Sequence, residues 1–370
     1  TKNSFIDPQK KPVIYKASTE EVEKSSILNQ KDFTRAKETI KFIKDKKWNS
    51  ALKSASKVKD REFRNLITWM YLKTTRNGAS FSEYKNFIEQ NNNYPRINRI
   101  RFLAESKIYL RNNSPTSIIN WFDKYPPLGG MGKIKLAEAY LEKGQADKVE
   151  ELIKEGWETA NISKNDLGYY RAKFKKFIDS DDHIKRADYL AWEKKYWDLK
   201  RMLKYLPKDQ RALYNARQIL MSNSYGVDNA ISKVPEYLKK DPGLEFDRLR
   251  WRNRRGRLEG SLEILYRNSI KTEEQMVRPD KWWEQRESVV RSLIYKKRYK
   301  TAYKISSEHA LSAGPSFAEA EWLSGWIALT FLNSPEYAIN HFQNFYNNVG
   351  YPISLARGAY WLGASYEKLN

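Results

Sequence analysis

The feature that most constrains this chain is the recurrence of helix-forming hairpins with a small residue at a fixed point. Tyr299 stands three positions before Ala302, and the alanines Ala230, Ala302 and Ala338 lie 72 and 36 residues apart. Small side chains let paired helices approach closely, and a period in the mid-thirties is typical of helical repeats. This spacing predicts a solenoid in which each helix pair buries its apolar face against the next pair.

One segment, residues 318–346, illustrates the hairpin unit. Trp322 and Trp326 belong to one of two neighbouring apolar stripes at helical spacing, which indicates a helix covered on two sides. Ser334 and Pro335 then have the residue types of a helix cap and a first helical turn, so that the Ser334 side chain is predicted to cap a second helix.

Strand patterns are nearly absent, since the chain has no run of alternating β-branched residues. The predicted fold class is therefore all-α, as a superhelical solenoid of helix hairpins similar to TPR repeats, curved or ring-shaped. Residues 1–31 lack sustained periodicity and predict an extended N-terminal arm, whereas residues 32–370 predict the α-helical superhelical domain.

The charge balance points to an anionic partner. The chain carries 68 Lys and Arg against 45 Asp and Glu, a formal net charge of +23. Such a charge attracts polyanions, which include nucleic acid, anionic lipid and acidic cell-wall polymers. The competing interpretation is a solvated surface that reflects a Lys- and Asn-rich composition.

Two absences narrow the chemistry. The chain has no cysteine, which excludes disulfides, thiolate metal sites and a cysteine nucleophile. It also has no run of 18 apolar residues, so no transmembrane segment is predicted.

The strongest candidate binding surface is the arginine-rich run at residues 248–257. Guanidinium groups bind carboxylates and phosphates through paired hydrogen bonds, and a neighbouring indole can stack on a sugar or a base. On a helix these arginines spread over several faces, so ion pairing within the fold is the competing interpretation. The residues predicted to form an anionic glycan-contact surface are Arg250, Arg252, Arg254, Arg255, Arg257 and Trp251.

Other constellations receive structural interpretations. Residues 126–140 are glycine-rich, but Pro127 and Ile134 stand where a phosphate loop requires glycine and a hydroxyl residue, so a turn leading into a helix is predicted. Adjacent Trp282 and Trp283 are interpreted as core anchors. The histidines lack metal-ligand spacing and are interpreted as helix-surface or capping residues: His183, His309 and His341. No catalytic residue, metal ligand or cofactor-binding residue is predicted.

Four segments resemble the superhelical domain of the soluble lytic murein transglycosylases, in the form common in α-proteobacteria. They are residues 125–153, 250–265, 279–286 and 317–370, and the most specific stretch is "GYPISLARGAYWLGASYEKL". The resemblance implies a periplasmic enzyme that cleaves the β-1,4 bond between N-acetylmuramic acid and N-acetylglucosamine and leaves a 1,6-anhydro end. It implies no cofactor, and it places one catalytic glutamic acid in a lysozyme-like domain that sits on a ring of helix hairpins.

The chain departs from the family in its catalytic motif. The family carries Glu-Ser followed by Ala-x-Gly-Leu-Met-Gln-Leu, and no such run occurs here. Glu287 and Ser288 supply the dipeptide without its companions, so Glu287 is not taken as the catalytic acid. The resemblance therefore implies the scaffold and substrate-engaging domain without the catalytic domain, inactive on its own.

The implied partners are peptidoglycan and the protein's own C-terminal catalytic domain, and the implied location is the periplasm. The alternative function is a helical-repeat adaptor that binds an acidic protein or RNA through its basic face. RNA is the weaker of these two, because repeats that read bases need side chains at fixed offsets in every repeat, and no such recurrence is found.

Overall fold

A computed structural model describes residues 24–222, 225–268 and 276–369. Within these ranges the chain forms α-helices and short 3₁₀ turns with no β-strand, which confirms the predicted all-α class. Most of the predicted arm, residues 1–31, lies outside the described residues. The domain boundary at residue 32 and the closure into a ring stay predictions.

The chain divides into two compact units, the first of which ends at Lys148. Its helices pack in sequential pairs, α1 with α2, α4 with α5 and α6 with α7, and α5 also packs on α7. The bounds are α1 (Gln30–Lys44), α2 (Trp48–Ala55), α3 (Arg61–Leu72), α4 (Phe81–Gln90), α5 (Ile97–Glu105), α6 (Pro115–Lys124) and α7 (Gly130–Glu142).

The second unit begins at Val149. Its helices are α8 (Val149–Thr159), α9 (Lys164–Lys173), α10 (Ser180–Trp192), α11 (Tyr196–Met202), α12 (Lys208–Leu220), α13 (Val227–Ser232), α14 (Pro242–Arg254), α15 (Leu258–Arg267), α16 (Pro279–Tyr295), α17 (Tyr299–Ser307), α18 (Gly314–Phe331), α19 (Pro335–Asn347) and α20 (Pro352–Leu369). From α10 to α20, every even-numbered helix packs on the next even-numbered helix, so that α10 contacts α12 and α12 contacts α14. Every one of these helices also packs on a helix adjacent to it in sequence. This unit is therefore built of stacked helix hairpins, as the sequence predicts.

The hairpin predicted at residues 318–346 is present as α18 and α19, and Pro335 is the first residue of α19. The predicted cap is wrong in one detail. Ser334 occupies the cap position with ψ of 76°, and its hydroxyl donates to the carbonyl of Leu332 at 3.2 Å. A cap side chain reaches the next helix from an extended backbone, as Ser80 does with ψ of 163°, and Ser334 lacks that geometry.

At five reversals within the described residues, the chain turns in the same way. A residue with φ between 57° and 71° follows the first helix, its N–H donates to the carbonyl three residues earlier, and the next N–H donates to the carbonyl five residues earlier. These bonds are those of the Schellman turn, which satisfies the last carbonyls of a helix. The left-handed residues are Lys46, Gly144, Lys194, Gly256 and Lys297.

The lysines in these turns should cost stability. A left-handed conformation costs an L-residue more than glycine, so we expect Lys194→Gly and Lys297→Gly each to raise the free energy of unfolding by about 0.5–1 kcal/mol, after the entropy that glycine adds to the unfolded chain. Gly256→Ala, the matched reverse change, should lower it by about 1 kcal/mol. Urea denaturation measures the free energy of unfolding of all three variants. If Gly256→Ala changed it in the same direction as Lys194→Gly, the left-handed lysines would not be strained.

Candidate functional site

The arginine run lies on α14 and the turn after it, and its residues range from buried to exposed. Arg250 is 5% exposed, and its Nη2 lies 2.9 Å from Oδ1 of Asp247 inside the protein. Arg252 is half-buried, and its Nη1 donates to the carbonyl of Gly260 and lies 3.1 Å from Oε2 of Glu263. These two arginines hold α14 together and tie it to α15.

Arg254 has a third structural task. Its Nη1 donates to the carbonyl of Met221 at 2.8 Å and its Nη2 donates to the carbonyl of Leu220. These carbonyls lie at the C-terminal end of α12, where a helix has unsatisfied acceptors and a partial negative charge. Arg254 therefore caps α12 from the neighbouring hairpin, although its surface stays exposed.

The remaining members face solvent around Gly256. The guanidinium carbons of Arg257 and Arg255 lie 4.7 Å and 5.5 Å from the centroid of the Trp251 ring. Both arginines are exposed and Trp251 is half-buried, so the indole holds two cations at the tip of the hairpin. The structure thus brings Trp251, Arg255 and Arg257 together and gives the other three arginines partners within the fold.

A second basic turn lies beside the first. Arg298 follows the left-handed Lys297 between α16 and α17, and its Nη1 contacts Oε1 of Glu259 at the start of α15. The adjoining Tyr295 is 88% exposed. We call six residues at the two turns the basic edge, of which Trp251 is half-buried and the others are exposed: Trp251, Arg255, Arg257, Tyr295, Lys296 and Lys297.

A buried ion network fixes α14 behind the basic edge. Arg217 on α12 is fully buried, with its Nε 2.8 Å from Oδ2 of Asp247 and its Nη1 2.6 Å from Oδ1 of Asp188. Burial opposes the charge of Arg217, but the carboxylates of Asp247, Asp188 and Asp241 raise its pKa above the usual value. The guanidinium therefore stays charged and links α10, α12 and α14.

The glycine-rich segment 126–140 leads into α7, as predicted, and its backbone N–H groups already bind the carboxyl group of Glu105. Glu105, at the end of α5, accepts the N–H of Leu128 at 2.5 Å on Oε1 and the N–H of Gly129 at 3.1 Å on Oε2. Burial raises the pKa of Glu105 and the backbone hydrogen bonds lower it. Burial has the larger effect, and the pKa stands at about 7. The helix end that superficially resembles a phosphate loop is thus occupied by a carboxyl group of the chain itself.

The histidines differ from their predicted roles. His309 is buried, and its Nε2 lies 3.2 Å from Oε1 of Glu321, while Nδ1 of His341 lies 2.6 Å from Oε2 of the same carboxylate. Burial tends to raise the pKa of Glu321, but the hydrogen bonds with these two imidazoles lower it to about 2. His183, also half-buried, accepts the indole N–H of Trp157 at 3.1 Å. The surface interpretation is wrong for His309, which is buried in the connection between α17 and α18, where its Nδ1 accepts the N–H of Leu311 at 3.0 Å. His183 and His341 lie on helices and are half-buried, and each ring has a hydrogen-bond partner on another helix.

The other interpreted residues follow the sequence analysis. Trp282 and Trp283 are 1% and 3% exposed, which confirms them as core anchors. Glu287 pairs with Arg291 on the outer face of α16, at 2.6 Å from its Nη2.

In the part of the chain that the structure describes, no group of three or more His, Asp or Glu could hold a metal ion. No described helix is long and apolar enough to cross a bilayer.

These features define an all-α protein of stacked hairpins that presents a basic, aromatic edge. No protein-family model matches the chain, and no curated protein matches it. Among solved structures, the 70 kDa soluble lytic transglycosylase Slt70 from Escherichia coli is 12% identical over 87% of this chain and 75% of that chain, with a TM-score of 0.30. The complex of the 70-kDa soluble lytic transglycosylase with bulgecin A is 11% identical over the same shares, with a TM-score of 0.30.

Proposed function

We propose that this chain is the substrate-engaging helical domain of a periplasmic peptidoglycan lytic transglycosylase of the α-proteobacterial form. The basic edge, where Trp251 and Tyr295 accompany four exposed cations, is the observation that carries the proposal. The resemblance of residues 250–265, 279–286 and 317–370 to that family supports it, and the first of these segments contains half of the basic edge.

The chemistry of the edge suits an anionic glycan. Stem-peptide carboxylates make peptidoglycan negative, and exposed guanidinium and ammonium groups attract and pair with them. The exposed ring of Tyr295 offers apolar surface on which a sugar ring can rest while its hydroxyls stay in water, and Trp251 holds Arg255 and Arg257 beside it. Arg250, Arg252 and Arg254 contribute indirectly, because their partners within the fold position the turn.

In this proposal the bond cleavage belongs to a lysozyme-like catalytic domain, which is the second partner besides peptidoglycan. The chain alone should therefore bind purified sacculi in a cosedimentation assay and release no anhydromuropeptides from them. Release of such products by the purified chain would contradict this division of labour.

Removing the exposed arginines should weaken binding to sacculi. We expect Arg255→Gln with Arg257→Gln to reduce affinity up to about thirtyfold at low salt, because each of the two exposed ion pairs contributes up to about 1 kcal/mol. The matched control is Lys233→Gln with Lys240→Gln, which removes the same charge from exposed positions of the same unit. Equal loss in both double variants would mean that net charge alone, and not the edge, binds the polymer.

The adaptor alternative rests on the net charge of +23. The same sedimentation assay, repeated with RNA and with an acidic protein across a salt series, distinguishes the two functions. Tighter binding to either of these than to sacculi at every salt concentration would favour the adaptor.

A further inference from the structure

The first unit contains a cavity of about 310 Å³ that the proposed function leaves unused. It lies between the start of α4 and the connection from α5 to α6. Its volume is at the lower end of the range for small-molecule sites, roughly 300–1,000 Å³. The lining residues that matter here are Ser80, Ser82, Lys107, Tyr109, Arg111 and Asn112.

The charge in the lining is entirely positive. Lys107 donates from Nζ to the carbonyl of Asn77 at 2.8 Å, and the guanidinium carbon of Arg111 lies 5.0 Å from the ring centroid of Tyr109. In the described part of the chain, neither cation has a carboxylate oxygen within 4.0 Å. Lys107 is half-buried and Arg111 is exposed, so the cavity wall presents positive charge that a ligand from solvent can reach.

Tyr109 lines the cavity with an aromatic ring that carries a hydroxyl group. Lys135 approaches its ring from another helix, with Nζ 4.5 Å from the centroid, so the phenol ring is held against cations from two elements. Tyr109 is 37% exposed and lines the cavity. It can therefore pack against the organic part of a small molecule.

Hydroxyl and amide groups complete the lining. Ser80 caps α4, and Glu83 faces back to it, with Oε2 2.8 Å from the Ser80 hydroxyl, so the nearby carboxylate is engaged and does not line the cavity. Asn112 lines the cavity from the opposite connection, and Ser82 adds a second hydroxyl. The Ser82 hydroxyl and the Asn112 amide can donate hydrogen bonds to the oxygens of an anion, whereas the Ser80 hydroxyl already donates to Glu83.

We propose that this cavity is a binding site for a small organic anion, whose carboxylate or phosphate pairs with Lys107 and Arg111 while its remainder packs on Tyr109. The two cations supply charge-assisted hydrogen bonds, the strongest that a side chain can offer to such a group. The site lies within the first unit and does not depend on the basic edge.

Isothermal titration calorimetry of the full chain tests the site, with phosphoserine, N-acetylglycine and inorganic phosphate as separate probes. We expect saturable binding of at least one probe and about tenfold weaker binding in Arg111→Gln, the value for one lost charge-assisted hydrogen bond. Lys107→Gln should act similarly. Lys53→Gln removes an exposed cation of the same unit outside the cavity and should leave the affinity unchanged.

The three probes also identify the anionic group. Because phosphoserine carries both a phosphate and a carboxylate, binding of inorganic phosphate assigns a phosphate, and binding of N-acetylglycine without binding of inorganic phosphate assigns a carboxylate. Arg111 is exposed, so its variant keeps the fold and remains informative even if Lys107→Gln loses stability. The proposal is overturned if no probe saturates, or if Lys53→Gln weakens binding as much as Arg111→Gln does.

Discussion

Asp247→Asn should lower the free energy of unfolding by about 3–5 kcal/mol, the cost of leaving the buried Arg250 without its carboxylate partner and of removing one carboxylate from Arg217. Asp247 is fully buried, and its two oxygens lie 2.8 Å from Nε of Arg217 and 2.9 Å from Nη2 of Arg250. Asparagine keeps the shape but removes the negative charge. Two buried guanidinium groups then face each other across a neutral side chain, and α12 and α14 lose their shared anchor.

The matched control is Asp188→Asn, which removes a carboxylate from the same guanidinium. The Asp188 side chain is 41% exposed, so water can replace it, and we expect a loss of about 1 kcal/mol or less. Urea denaturation followed by circular dichroism measures both variants. Losses of equal size would show that burial does not decide the contribution of a carboxylate to this network.

Gly132→Ala is expected to lower the free energy of unfolding by about 2–3 kcal/mol, as overpacking of a filled interior does. A Cβ atom at position 132 would stand 2.5 Å from the carboxyl carbon of Glu105 and 2.7 Å from its Oε2. The carboxylate would have to leave the N–H groups of Leu128 and Gly129. This loss exceeds the gain of about 1 kcal/mol that alanine brings to a helix interior.

Gly168→Ala is the control for helix propensity. Gly168 lies within α9 and a Cβ atom there meets nothing within 4 Å, so alanine should raise the free energy of unfolding by about 0.5–1 kcal/mol. Opposite signs for the two glycines are the expected result. A neutral or stabilising Gly132→Ala would mean that Glu105 moves aside easily and that its hydrogen bonds contribute little.

The fold class follows from local signals in the sequence. The helix through Trp322 is visible because its apolar residues recur at helical spacing, and Pro335 marks the start of the next helix. The buried ionic groups are invisible by the same logic. Arg217 and Asp247 are 30 residues apart, and each stands in a segment where a charged side chain ordinarily faces water. Only the packing of helices from different hairpins removes that water.

The candidate site was predictable as a region and not as a set of residues. Helical spacing indicates that the arginines of the run point in several directions, but the positions of α12 and α15 decide which of them are bound within the fold. The left-handed turns at lysine were missed for a different reason. Glycine or asparagine ordinarily marks a left-handed helix end, and Lys194 and Lys297 do not carry that signal.

The carboxyl of Glu105 has a further effect, on the response of the first unit to acidity. Its pKa stands at about 7 in the folded chain, above the ordinary value of 4.5. The folded chain therefore holds this proton more tightly than the unfolded chain does. The contribution of the group to stability is complete below pH 4.5 and is lost as the pH rises through about 7. The contact between α5 and α7 is thus weaker in mildly alkaline than in mildly acidic surroundings.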